Sequence, residues 1–149
     1  MFPRQLTILG VGLLGGSIGL AMRSRAPGVK IIGCSHRRET LEKALAIGAI
    51  DTIEMEPARA MKGSDLVILC TPVGIFEQLL KEIGPSLPAG AIVTDVGSTK
   101  RSIVQLAESL LPKGVDFVAS HPIAGSDRIR RNHARRSGKS KTRHSRGGP

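Results

Sequence analysis

Residue types and spacings able to do chemistry first occur at Gly10-Val11-Gly12-Leu13-Leu14-Gly15, directly after the apolar run Gln5-Leu6-Thr7-Ile8-Leu9. A Gly-x-Gly-x-x-Gly string is common in turns. Placed between a strand and a helix, however, it has a specific physical use. The first glycine permits a tight turn, the second lets backbone approach a pyrophosphate, and the third lets helix and strand pack closely. The helix opening there presents free N–H groups and a partial positive charge to an anion. Gly10, Gly12, Leu13, Leu14 and Gly15 are therefore the expected contacts of a dinucleotide pyrophosphate. The alternative is a glycine-rich turn without a ligand.

A second stretch bears on which dinucleotide. Domains that take NAD place Asp or Glu about 20 residues past the loop, where it binds the ribose 2′-hydroxyl. Here that position is Ser35, followed by His36-Arg37-Arg38. A small hydroxyl followed by cations suits a 2′-phosphate, which arginine can engage through paired, charge-assisted hydrogen bonds. Ser35, His36 and Arg37 are thus expected cofactor contacts, with NADP preferred to NAD. The competing reading has Arg37 and Arg38 merely solvated before a helix, with Glu39 tolerating NAD.

The elements needed to position these groups are legible in the hydropathy pattern. Strand-like runs are expected at 5–9, 29–34, 65–70, 91–96 and 115–119. Helical periodicity occupies 13–25, 39–47, 74–83 and about 100–111, with a short helix near Pro57. In the second helix Leu41, Ala44 and Leu45 are expected inward, with Gly48 as its C-terminal stop. In the helix at 74–83, Ile75, Leu79, Leu80 and Ile83 form one stripe. Strands alternating with helices at this spacing predict an α/β fold, a doubly wound parallel sheet of Rossmann type with right-handed crossovers.

Composition bounds the rest. The 149 residues are 40% hydrophobic and 23% charged, ordinary for a soluble globular domain, and include three Phe but no Tyr or Trp. Ile, Leu, Val and Ala must fill the core, as they do in covered parallel sheets. No apolar stretch has the length of a membrane span, and no signal peptide is expected, so the cytoplasm is the expected setting. Cys34 and Cys70 fall in predicted strands without metal-ligand spacing, which points to reduced core thiols and no metal. The net charge of +10 is localised. Residues 1–127 hold thirteen Lys or Arg against all twelve acids, whereas residues 128–149 hold nine cations and no acid. The expected organisation is a domain over 1–126 and a basic tail over 127–149 that is disordered, because it has too little apolar surface to offset its ordering entropy.

Two further strings lie past expected strand ends, where ligands bind in open α/β sheets. They are Asp95-Val96-Gly97-Ser98-Thr99-Lys100 and Ser120-His121-Pro122-Ile123-Ala124-Gly125-Ser126. Taken alone, His121 could simply pack against Pro122. Together with the glycine loop and Cys70-Thr71-Pro72-Val73, these strings closely resemble the prephenate and arogenate dehydrogenases of tyrosine biosynthesis, in order from about residue 5 to residue 126. The β-hydroxyacid dehydrogenases share the loop but not the two later strings.

The resemblance implies an oxidative decarboxylation. Hydride passes from the ring carbon bearing the hydroxyl to a nicotinamide, carbon dioxide leaves, and the ring becomes aromatic, the redox chemistry belonging to the cofactor. It further implies that His121 polarises that hydroxyl or serves as its general base, a role worth about 10²- to 10⁴-fold in rate. Ser98 would orient His121 and substrate, Ser126 would contact substrate, and Thr71 and Pro72 would join the cofactor contacts. Asp127 stands where the family usually has Glu. The further helix and strands that finish the family's sheet, and the helical domain that forms its homodimer and supplies a substrate-binding arginine, are not recognisable in residues 128–149.

The leading reading is therefore an enzyme cofactor domain cut short after its catalytic histidine, its sheet incomplete at the C-terminal end and its basic tail the product of a frameshift or a wrongly predicted gene. One alternative is a family member completed by a partner chain. Another is an inactive dinucleotide-binding fragment, and a last is a Rossmann module whose tail contacts nucleic acid. Nine cations could neutralise phosphates, but the tail has no aromatic residue for base stacking, so no nucleic-acid partner is expected.

Overall fold

A computed structural model of the chain describes residues 2–96 and 101–120. The elements run β1 (Gln5–Leu9), α1 (Leu13–Arg25), β2 (Lys30–Cys34), α2 (Arg38–Ala46), β3 (Thr52–Glu54), α3 (Pro57–Ala60), β4 (Leu66–Leu69), α4 (Phe76–Ile83), β5 (Ile92–Asp95), α5 (Arg101–Leu110) and β6 (Asp116–Val118). A 3-10 turn over Val73–Ile75 leads into α4. All pairings are parallel, and the sheet order is β3-β2-β1-β4-β5-β6. This is the doubly wound arrangement the alternating pattern predicts. The expected lack of finishing strands concerns the chain beyond residue 120 and, like the expected disorder of 127–149, lies outside the described residues.

The central strands β1, β2 and β4 are buried on both sides because helices cover both faces of the sheet. Leu6 and Ile8 of β1, Ile31 of β2 and Ile68 of β4 pack with Leu41, Ala44 and Ile50 on the α1–α2 face. Leu9, Ile32, Val67, Leu69 and Val93 pack with Phe76, Leu80, Ile83 and Ile103 on the α4–α5 face. The one polar side chain facing inward from β1, Thr7, is fully buried but satisfied: its hydroxyl meets the Ala60 carbonyl at 3.0 Å and Ser64 Oγ at 2.6 Å.

The structure corrects three sequence expectations. β3 was not singled out, since three residues carry no measurable periodicity. It exists because Thr52, Ile53 and Glu54 pair with Ile32, Gly33 and Cys34 at the edge of the sheet. Leu45 of α2 is 42% exposed rather than inward, which leaves Leu41 and Ala44 as that helix's buried contacts. Ile75 is not on the core stripe of α4. It sits in the 3-10 turn, and Phe76 takes the buried place. Gly48 does end α2, at φ +77°.

Two aspartates tie the N-terminal ends of the strands together. Asp65 accepts the backbone N–H groups of Arg4 (2.7 Å) and Gln5 (3.1 Å), which hold its carboxyl below the usual carboxylate range. Asp51 accepts the Ile31 N–H at 2.8 Å and pairs with Arg23 of α1 at 2.5 Å. Burial pushes its pKa up, but the bonds from Arg23 and Ile31 outweigh this and the net shift is downward. A carboxylate with a lowered folded pKa takes up its proton in the unfolded chain first. Its contribution is therefore complete above the ordinary pKa near 3.9 and is lost as pH falls through the lowered value. Denaturant titrations at pH 6 and pH 3 should show the midpoint falling with pH, and Asp51→Asn should flatten part of that fall. An Asp51→Asn protein with an unchanged pH slope would contradict the assignment.

Candidate functional site

β1 and β4 are neighbours, yet the chain leaving β1 goes to one face of the sheet and the chain leaving β4 to the other. Their carboxyl ends therefore part and leave a crevice, the place where doubly wound sheets bind ligands. The crevice is a cleft of about 450 Å³.

The glycine loop forms one wall. Gly10 adopts φ +91°, and its N–H donates to the Cys34 carbonyl at 2.8 Å. A Cβ there would lie 2.9 Å from the Cys70 backbone. Gly15 packs against the same turn so closely that a Cβ would sit 2.3 Å from the Gly10 carbonyl oxygen. Gly12, just before α1, is extended, and a Cβ on it would meet nothing within 4 Å. The glycines thus have separate causes: Gly10 makes the turn, Gly15 lets α1 close on it, and Gly12 leaves open the approach from the cleft. α1 has no acidic residue in its first turn and no side-chain cap, so its leading N–H groups keep their capacity for an anion. Leu13 and Leu14 are exposed at this helix end, and neither they nor Gly15 line the cleft.

Ser35, His36 and Arg37 form the second wall, past the end of β2. The Arg37 N–H donates to Ser35 Oγ at 3.2 Å, turning the chain into α2. Arg38 pairs with Glu42 (3.4 Å) and Lys43 with Glu39 (3.1 Å) along the exposed face of α2. The Arg37 guanidinium has no ion pair among the described residues, and Arg37 lines the cleft. Thr71 and Pro72, past β4, form the third wall. Thr71 Oγ1 is buried and has no hydrogen-bond partner among the described residues.

Cys34 and Cys70 also border the cleft. Burial, with the negative charges of Glu54 and Glu82 adding to it, pushes the Cys34 thiol up to about 12, and burial pushes Cys70 up to about 11. Both stay protonated at neutral pH, which makes them poor nucleophiles and poor metal ligands. Among the described residues no three His, Cys, Asp or Glu side chains converge on a metal position. No described helix is long and apolar enough to cross a membrane.

Ser98, His121 and Ser126 lie outside the described residues. The strands leading to them are adjacent, with Thr94 opposite Val118. Thr94 Oγ1 donates to the Val118 carbonyl at 2.5 Å and lies 2.7 Å from Ser120 Oγ, tying the end of β5 to the residue before His121. Asp95, the last residue of β5, is fully buried.

Sequence reasoning missed the rest of the cleft: Thr40, Met55, Pro57, Ile75, Gln78, Leu79 and Glu82. None belongs to a local motif. Only the winding order brings the end of β3 and the cleft-side face of α4 to the same crevice.

Residues 18–137 match the family described as "Prephenate dehydrogenase, nucleotide-binding domain". The prephenate dehydrogenase of Bacillus subtilis is 38% identical over 122 residues, 81% of this chain and 33% of that protein. That of Lactococcus lactis is 38% identical over 125 residues, 83% of this chain and 35% of that protein. The crystal structure of Aquifex aeolicus prephenate dehydrogenase with hydroxyphenyl propionate and NAD+ superposes with a TM-score of 0.75 at 35% identity, covering 86% of this chain and 44% of that one. Synechocystis arogenate dehydrogenase superposes with a TM-score of 0.71 at 32% identity, covering 82% and 42%. This chain spans about a third of the length of the curated relatives.

Proposed function

Because the chain belongs to the prephenate dehydrogenase family, matching its nucleotide-binding domain, we propose that it supplies the cofactor half of an NADP-dependent oxidative decarboxylation of prephenate or arogenate. The observation that carries this reading is convergence: the glycine loop, Ser35–Arg37 and Thr71–Pro72 leave three separate strand ends and border one cleft. Two features fit a dinucleotide there. Gly12 opens onto free space, and Thr71 Oγ1 is a buried polar atom whose hydrogen-bonding capacity is unused among the described residues.

The leading N–H groups of α1 would hold the pyrophosphate, and Arg37 with Ser35 would hold the ribose 2′-phosphate. When bound, the nicotinamide supplies a two-electron acceptor for the hydride lost as the substrate ring becomes aromatic. His121 takes the proton of the ring hydroxyl, Ser98 positions His121, and Ser126 holds the substrate. The adjacency of β5 and β6 supports this division, because the strings carrying Ser98 and His121 follow neighbouring strands.

Titration of the purified chain with NADP and NAD, followed by oxidation assays with prephenate and arogenate, tests the reading. NADP is expected to bind more tightly. Arg37→Ala should weaken NADP by about 10- to 100-fold, the worth of charged hydrogen bonds, and leave NAD unchanged. Tighter binding of NAD would overturn the 2′-phosphate assignment, and binding of neither dinucleotide would overturn the reading as a whole. NADP binding without oxidation of either substrate would support a cofactor half that needs the helical domain for turnover.

A further inference from the structure

We propose that Glu82 is the residue by which this cleft reads the base of its dinucleotide, its carboxylate accepting a hydrogen bond from the adenine 6-amino group; this rests on the dinucleotide reading above. The loop end of the cleft is taken by phosphate-binding groups and the next stretch by Ser35–Arg37, so the base falls to the remaining part. There the lining is apolar on two sides, with Met55 and Pro57 from the β3–α3 connection and Ile75 and Leu79 from the entry and body of α4. Such walls suit the two faces of a planar ring and supply no discrimination between purines.

Two polar side chains interrupt them. Gln78 and Glu82 both line the cleft, one helical turn apart on α4, and i,i+4 residues lie side by side on a helix face. Neither has a hydrogen bond or ion pair among the described residues. The other glutamate of α4, Glu77, is paired with Lys81 at 2.9 Å and does not line the cleft. Glu82 is also close enough for its charge to act on the buried Cys34 thiol, which borders the same space. A carboxylate acceptor beside an amide that can donate matches the edge of adenine, which offers an amino donor next to the N1 acceptor. Hypoxanthine has a carbonyl oxygen in place of that amino group, and an ionised carboxylate has no proton to offer it.

The test compares the affinity of the full chain for NADP and for its hypoxanthine counterpart, in the wild type, Glu82→Gln and Glu77→Gln. The wild type should prefer the adenine form by about tenfold, the worth of one hydrogen bond to a charged group. Glu82→Gln, whose amide can serve either base, should bring the two forms near parity, and Glu77→Gln should keep the preference. Glu82 is exposed on its helix, so the substitution spares the core. Equal affinities in the wild type, or a preference that survives Glu82→Gln, would overturn the inference while leaving the dinucleotide reading intact. Binding of neither form would overturn that reading and the inference with it.

Discussion

Gly15→Ala is expected to destabilise the domain by about 1–3 kcal/mol, the usual cost of overpacking, whereas Gly12→Ala should change stability by no more than about 0.5 kcal/mol. The two positions belong to one motif, but their surroundings differ. A methyl at Gly15 would lie 2.3 Å from the Gly10 carbonyl oxygen and 3.1 Å from Ile8, so α1 and β1 would have to move apart. A methyl at Gly12 would meet no protein atom within 4 Å. In binding, both are expected to lose at least about tenfold in NADP affinity, for different reasons. Gly15→Ala would displace the helix end proposed to face the pyrophosphate, and Gly12→Ala would put a methyl where the pyrophosphate must come close to the chain's backbone. Denaturant unfolding and NADP titration of both variants check this. A Gly12→Ala protein that unfolds early would contradict the open space at Gly12, and one that binds NADP as the wild type does would show that the cleft at Gly12 is not the pyrophosphate site.

His121→Asn should slow turnover about 10²- to 10⁴-fold, the range for removing a general acid–base group, with the affinity for NADP unchanged. The separation matters because His121 follows β6, and two strands, β4 and β5, lie between β6 and the strand that leads into the glycine loop. A residue acting on the substrate hydroxyl should leave the dinucleotide contacts alone. The rise of kcat/KM with pH around the ordinary histidine range should also disappear, since the protonated ring cannot accept the hydroxyl proton. Loss of NADP affinity in parallel with turnover would instead make His121 part of the cofactor site. Ser98→Ala should act in the same direction with the pH profile retained, as expected for a residue that positions the histidine.

The glycine loop was readable because its signature is written in one short segment. Three glycines, a preceding apolar strand and a following helix lie within residues 5–25, and the close contact at Gly15 arises inside that segment, whereas the crowding at Gly10 comes from Cys70, just past β4. The longer strands and the helices were readable for the same reason, as a continuous apolar run or hydropathy of period 3.6 is written over four or more neighbouring residues. β3 was missed because its three residues have no internal pattern and depend on a partner, β2, some twenty positions earlier. Leu45 and Ile75 were misplaced because periodicity ranks the sides of a helix but does not say how wide the buried stripe is.

The part of the cleft lined by α4 shows the same limit more sharply. Met55, Leu79 and Ile75 look like core residues in the sequence, and Gln78 and Glu82 look like the solvated face of an amphipathic helix. Nothing near them in the chain contradicts either impression. They become site residues because β4, although fourth in sequence, lies beside β1 and sends its helix to the opposite face from α1. By itself, the sequence determined the wound α/β class, the phosphate loop, the absence of a carboxylate at Ser35, and the paired strings around Ser98 and His121. The tertiary structure alone decided that Arg37 rather than Arg38 is left unpaired at the cleft, that Thr71 keeps a buried hydroxyl without a partner among the described residues, and that α4 turns Glu82 toward the cleft and Glu77 away from it. The physical reason is one of range: turns, caps and periodicity act over a few residues, whereas the walls of a crevice are brought together by strand order and by which helix face each strand end feeds.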